Sequence, residues 1–269
     1  MDYGLEGKVA IVTGGTAGVG RACVEALASQ GVRVATCARG IDALQATADE
    51  VSKATKTDVF AHRADVTDPD SVKQFVAATL EKFGGIDILV NNATLVNRWS
   101  SGGGEGPTPT LDIPDEYWVG NFTIKVIGNA LFYKEVLPHM RAQRWGRIIN
   151  MTGGAARGGG STQGASNSAV INFTKVVADE VAKDGITVNA IYPHTSRGFI
   201  DIRLAEAAER QGITIEEARE RDAHFEQTED IKGEAEDAAN LMLFFASKQA
   251  AAITGQVISA TGVPPAVYY

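Results

Sequence analysis

Residues 12–20, "VTGGTAGVG", decide the fold. They close a short apolar run, "KVAIVT" (8–13), and open a stretch of helical periodicity, so the chain must turn from strand to helix within a few residues. Gly14, Gly18 and Gly20, spaced Gly-x-x-x-Gly-x-Gly behind Thr13, permit that turn. A helix that begins there offers free backbone N–H groups and the positive end of its dipole to a phosphate. A glycine trio alone is weak; its place between strand and helix gives it meaning.

Outward from this turn, β-branched runs alternate with stretches of helical length. The runs are "KVAIVT" (8–13), "VRVATC" (32–37), "DVFAH" (58–62), "IDILVN" (86–91), "RIINMT" (147–152), "ITVNAIY" (186–192) and "GQVISA" (255–260). Their continuous apolar character implies burial on both sides, hence an α/β fold: a Rossmann-like, doubly wound, seven-stranded parallel sheet with helices on both faces. Helices are expected near 19–30, 41–54, 68–83, 114–143, 163–183 and 235–247, with Asp68 and Pro69 forming an N-cap and N1 pair. Residues 94–113 are Gly/Pro-rich and read as a loop on the ligand side. Residues 195–232 carry charged helical patterns after strand six, where inserted material overhangs the crevice of a doubly wound sheet, and read as a substrate lid.

The 269 residues, 44% hydrophobic and 22% charged, are expected to form one domain, 1–269. A net charge of −8 with no basic run argues against nucleic acid or an anionic membrane as partner. No apolar run approaches the ~20 residues of a spanning helix, and the N-terminus lacks a leader pattern, so a soluble cytoplasmic protein is expected. Cys23 and Cys37 fall on a helix face and a strand without metal-ligand spacing and read as core thiols; no metal site is expected.

Two further segments share the strand-end placement of the glycine turn: "RADVTD" (63–68) after strand three and "NNA" (91–93) after strand four. Together the three resemble the short-chain dehydrogenase/reductase family, and the resemblance runs from Lys8 through "ITGQVISATG" (253–262). It implies an NAD(P)-binding protein in which Gly14, Thr16, Gly18, Val19 and Gly20 form the pyrophosphate loop. Asp65 and Val66 would then contact adenine, Asn91 and Ala93 would steady the sheet and cofactor, and Pro193 would border the nicotinamide. The end of strand two, "VATCARG" (34–40), has Arg39 where an acidic residue would bond the ribose hydroxyls of NAD. A guanidinium there can clamp a 2′-phosphate, which favours NADP(H) over NAD(H); an Arg39 stacked on adenine would still allow NAD. The family also implies a homodimer or homotetramer paired through the long helices, and a small-molecule substrate.

The resemblance implies a catalytic Ser, Tyr and Lys, assisted by an asparagine for which Asn121 is the match. "GGSTQGASNSAVINFTK" (159–175) instead places Gln163 at the tyrosine position and Asn167 at the lysine position. Neither amide has a proton to give or a charge to lend at neutral pH. None of the six tyrosines has a lysine four residues on, so no shift of register restores the motif. The serine position falls at Thr152 or Gly153. After strand six, "IYPHTSRG" (191–198) puts His194 where the family has glycine, and an imidazole there is a substitute acid or base, with Tyr192 and Arg157 as lesser candidates.

Three readings remain open at this point. One is an NAD(P)(H)-dependent oxidoreductase acting on the carbonyl or alcohol of a small, partly apolar molecule, its acid supplied by His194, Tyr192 or water. The second is an enzyme of the same fold that has left redox chemistry for a lyase, hydrolase or isomerase step. The third is a non-catalytic cofactor-binding protein.

Overall fold

The structure, a computed structural model, describes residues 2–94, 110–153, 161–193, 204–205, 208–209, 211–221 and 235–260. The described residues form a parallel seven-stranded sheet in the order β3-β2-β1-β4-β5-β6-β7. Its strands are β1 (Val9–Thr13), β2 (Arg33–Ala38), β3 (Val59–Arg63), β4 (Ile88–Asn91), β5 (Gly146–Met151), β6 (Ile186–Pro193) and β7 (Val257–Ala260). Helices α1 (Gly18–Ser29), α2 (Ile41–Thr55), α3 (Pro69–Phe83), α4 (Asp115–Phe122), α5 (Gly128–Gln143), α6 (Ser161–Val181), α7 (Ile215–Arg221) and α8 (Ala235–Ala246) connect and flank them. Strand order reverses between β1 and β4, which places the ligand crevice at their carboxyl ends.

Period-two alternation sends side chains of each central strand into two cores. Ala10 and Val12 of β1 pack with Leu27 of α1 and Met242 of α8 on one face. Val9 and Ile11 pack with Phe75 of α3, Phe132 of α5 and Val177 of α6 on the other. Burial on both faces is why these strands read as apolar runs instead of alternating ones. The cysteines lie where expected, Cys23 in the first core and Cys37 in the second, both as free thiols. Asp68 accepts from the Asp70 backbone N–H at 3.1 Å, with Pro69 in the first turn, so α3 begins on the anticipated cap.

The stretch expected as one helix over 114–143 is divided. Between α4 and α5 lies a π-helical segment, Thr123–Ile127, and it packs with α4 against α6. Wide turns of this kind concentrate at functional positions because they rotate the residues that follow. Residues 94–113 are described only at Thr94 and from Thr110, where a 3₁₀ turn, Thr110–Asp112, precedes α4. Most of 195–232, including Phe199, Ile200, His224 and Phe225, lies outside the described residues. Within it, α7 starts on a reciprocal cap in which Thr214 N donates to Glu217 Oε2 at 2.8 Å and Glu217 N donates to Thr214 Oγ1 at 3.1 Å.

Candidate active site

The glycine turn and the end of β4 form one structure at the switch point. Thr13 Oγ1 accepts the backbone N–H groups of Asn92 and Ala93, at 2.9 and 3.0 Å. Asn92 returns the contact, its amide donating to the carbonyls of Thr13 at 3.0 Å and Gly14 at 3.1 Å. Gly14 has a φ of +73°, and a Cβ there would press on the Ala93 Cα and the Asn92 amide, both at 3.2 Å. At Gly20 a Cβ would run into the Gly14 carbonyl oxygen, so a side chain is excluded and α1 closes directly on the turn. The N-cap of α1, Ala17, makes no side-chain cap. No cap side chain accepts from its first N–H groups, and a helix start of this kind can receive an anion.

Arg39 stands exposed just beyond β2. Asp65, beyond β3, accepts from Thr67 N at 2.9 Å and Thr67 Oγ1 at 2.7 Å. The Thr67 backbone N–H holds its carboxyl below the usual range, burial opposes this, and the Thr67 hydroxyl and the charge of Arg39 add to the lowering. Val66 is half-buried, its carbonyl oxygen 3.1 Å from where a Cβ on Gly128 would lie, so α5 starts close against this edge. Thr16, Gly18 and Val19 are half-buried along the turn.

Beneath the crevice Asn91 donates to Asn150 Oδ1 at 2.9 Å, and Tyr133 Oη donates to the same oxygen at 2.9 Å. Asn150 Nδ2 in turn donates to Thr174 Oγ1 at 2.9 Å. This buried network joins β4, β5, α5 and α6. Burial pushes the Tyr133 phenol above its ordinary value, so it stays protonated as a donor.

The residues proposed for the chemical end occupy less uniform places. The Thr152 hydroxyl donates to the Ile191 carbonyl at 3.1 Å and is 6% exposed, so its proton is engaged by β6. Gly153 follows it at the carboxyl edge. Gln163 lies half-buried on α6, and Tyr192 and Pro193 are half-buried at the end of β6. Asn121 is buried; its amide donates to Tyr117 O at 2.9 Å and Thr162 Oγ1 at 3.2 Å, and its Oδ1 has no hydrogen-bond partner among the described residues. His194 and Arg157 lie outside the described residues.

One residue of this region was not singled out from the sequence. Lys125, in the π-helical segment, is only 6% exposed, and its ammonium donates to Asn167 Oδ1 at 2.6 Å. A lysine four residues after Asn121 in a helix ordinarily reads as a surface charge. The signal that could have found it is its setting, a single charge inside the apolar run "FTIKVIG" (122–128).

Parallel order, switch point and glycine cradle define an α/β protein of dinucleotide-binding architecture. The short chain dehydrogenase family model matches residues 8–209. The 3-oxoacyl-acyl-carrier-protein reductase FabG of Escherichia coli strain K12 is 33% identical, covering 96% of this chain and 97% of its own. D-beta-hydroxybutyrate dehydrogenase of Rhizobium meliloti strain 1021 is 31% identical, covering 95% and 97%. Among solved structures, L-sorbose reductase from Gluconobacter frateurii, complexed with NADPH and L-sorbose, is similar with a TM-score of 0.86 at 28% identity, covering 97% of this chain and 98% of that one. The chain belongs to the short-chain dehydrogenase/reductase family.

Proposed function

We propose that the protein is an NAD(P)(H)-dependent oxidoreductase of this family, acting on the carbonyl or alcohol of a small, partly apolar molecule through a rebuilt active site. The observation that carries the reading is the cradle at the switch point. Gly14, Gly20 and the start of α1 without a side-chain cap, locked to β4 by Thr13 and Asn92, present a helix N-terminus suited to an anion where the sheet opens. Arg39 beside Asp65 favours NADP(H), since a guanidinium pairs with a 2′-phosphate and a carboxylate alone would repel it. A dinucleotide held there would provide the hydride chemistry, giving hydride to a carbonyl or taking it from an alcohol; the chain's own residues would bind, orient and move protons. His194, Tyr192, Gln163, Asn167, Thr152 and Asn121 are the groups proposed on that side. The relatives, a 3-oxoacyl-acyl-carrier-protein reductase, a hydroxybutyrate dehydrogenase and a sorbose reductase, support carbonyl compounds as the class to test, the last two of them small molecules.

Titration with NADPH and NADH, followed by absorbance at the nicotinamide band with 3-oxoacyl thioesters, acetoacetate and L-sorbose, tests the reading. Binding of one dinucleotide and its oxidation by a carbonyl compound are expected, with His194→Ala slowing the oxidation. Binding of neither dinucleotide would refute it. A second reading, an enzyme of this fold outside redox chemistry, draws on Thr152, whose hydroxyl proton is already given to β6. It would show turnover with no change at the nicotinamide band.

The proposed setting is a soluble cytoplasmic homodimer or homotetramer of one domain. Among the described residues no helix is long and apolar enough to cross a membrane. Val119 of α4, Ile127 of the π-helical segment and Val176 of α6 are 65%, 50% and 56% exposed, and pairing through these helices would cover them. Light scattering at micromolar concentration reads the assembly directly.

A further inference from the structure

At the carboxyl end of β5 three features meet. Lys125 is a buried ammonium, and among the described residues no carboxylate pairs with it. An ammonium only donates, so the Asn167 amide must turn its oxygen toward Lys125 and its nitrogen away. That nitrogen is the second feature: Asn167 is fully buried, and its Nδ2 has no hydrogen-bond partner among the described residues. The third is Gly153. A Cβ at that position would lie 2.8 Å from Asn167 Nδ2, so any side chain there would crowd the orphan donor and push the amide aside.

A purely structural role explains none of these well. An uncompensated buried charge is costly, and methionine or leucine would fill the position of Lys125 more stably. An unsatisfied buried N–H costs a further desolvation penalty. Costs of this kind persist where a ligand redeems them.

We propose that Lys125 and Asn167 form a ligand-oxygen site beside Gly153, in which Asn167 Nδ2 touches the ligand and Lys125 is the residue that positions it. The ammonium fixes the amide's orientation, and by polarising the amide carbonyl it strengthens the opposite N–H as a donor. Donor and charge together select an oxygen that carries lone pairs or developing negative charge and disfavour a cationic group. This rests on the proposed cofactor reading, within which two oxygens fit: a ribose hydroxyl on the nicotinamide half of the dinucleotide, or the carbonyl oxygen of the substrate. The helix α6 position at which the family resemblance expects a lysine is thus served by a lysine from the α4–α5 junction, acting through Asn167.

The test uses the parent chain, Lys125→Met, Asn167→Asp and Gly153→Ala. Each is titrated with NADPH and NADH, and with 2′,5′-ADP and ADP, which carry only the adenine half; kcat/KM is then measured with a carbonyl substrate at saturating dinucleotide. The adenine fragments should bind all four chains alike. If the oxygen is the ribose hydroxyl, the variants bind the dinucleotide about tenfold or more weakly. If it is the substrate carbonyl, dinucleotide binding is retained and kcat/KM falls by a similar factor; either result supports the site. Asn167→Asp guards against misfolding as the cause, because it gives Lys125 a counter-ion and should melt no lower than the parent while losing the outward donor. Variants that match the parent in both measurements overturn the proposal and leave the cofactor reading standing. A parent chain that binds neither dinucleotides nor fragments overturns the cofactor reading itself, and this site with it.

Discussion

Lys125 carries a positive charge into the contact between the α4–α5 junction and α6, and burial alone lowers its pKa from 10.5 to about 8. The sign of its effect on stability follows from linkage. Below about pH 8 the lysine is charged in both the folded and unfolded chain, and the full cost of burying the ammonium is present. Between about pH 8 and 10.5 the folded chain has released the proton and the unfolded chain has not. The unfolded state then binds more protons, so this residue makes stability rise with pH across that window. Lys125→Met removes the term. The variant is expected to melt above the parent chain below pH 8, with the difference shrinking as pH climbs through 8 toward 10.5, read by thermal unfolding at several pH values. A parent curve that runs parallel to that of Lys125→Met across this range would show that the ammonium bears no such burial cost.

At the scale of elements, the sheet is joined to its helices beneath the crevice by the side chain of Asn150. Its oxygen accepts from Asn91 of β4 and Tyr133 of α5, and its nitrogen donates to Thr174 of α6. Asn150→Ala would take the acceptor from two buried donors, Asn91 Nδ2 and Tyr133 Oη, while the Thr174 hydroxyl keeps its bond to the Val170 carbonyl at 2.8 Å. At about 1 kcal/mol or more for each orphan, a loss of roughly 2 kcal/mol is expected in urea unfolding. Tyr133→Phe deletes one donor and leaves Asn150 its other two contacts, so it should cost about 1 kcal/mol. Element boundaries were largely legible in the sequence, because apolar runs buried on both faces and a cap such as Asp68-Pro69 are local signals. The division of 114–143 was not. A π-helical segment keeps the amphipathic residues of a helix, and what decides it is the fit of Asn121 and Lys125 against Thr162 and Asn167 of α6, more than thirty residues away in the chain.

At the scale of the whole molecule, the two halves of the crevice differ in how they could be read. The side proposed for the adenine half rests on backbone conformation and close approach, at Gly14 and Gly20, and on short-range contacts such as Thr67 to Asp65; glycine spacing and strand ends betray both. The other side rests on side chains from separate elements that converge, Lys125 toward Asn167 and Asn167 toward Gly153, and convergence leaves no trace in local spacing. A prediction for the whole fold follows from the readable half. Any ligand held only by the folded chain raises its stability by RT ln(1 + [L]/Kd), about 2.7 kcal/mol at a hundredfold excess over Kd. On the proposed preference, NADPH should raise the melting temperature more than NADH at equal concentration, because Arg39 adds a charged contact that only the 2′-phosphate can use. Arg39→Ala should weaken NADPH about tenfold, removing roughly 1.4 kcal/mol of that stabilisation, while NADH stabilises parent and variant equally. Melting curves of both chains with each dinucleotide make the comparison. If Arg39→Ala lowered the NADH and NADPH effects together, the guanidinium would be packing on adenine, which both cofactors share, and selectivity would have to arise elsewhere on the edge formed by β2 and β3.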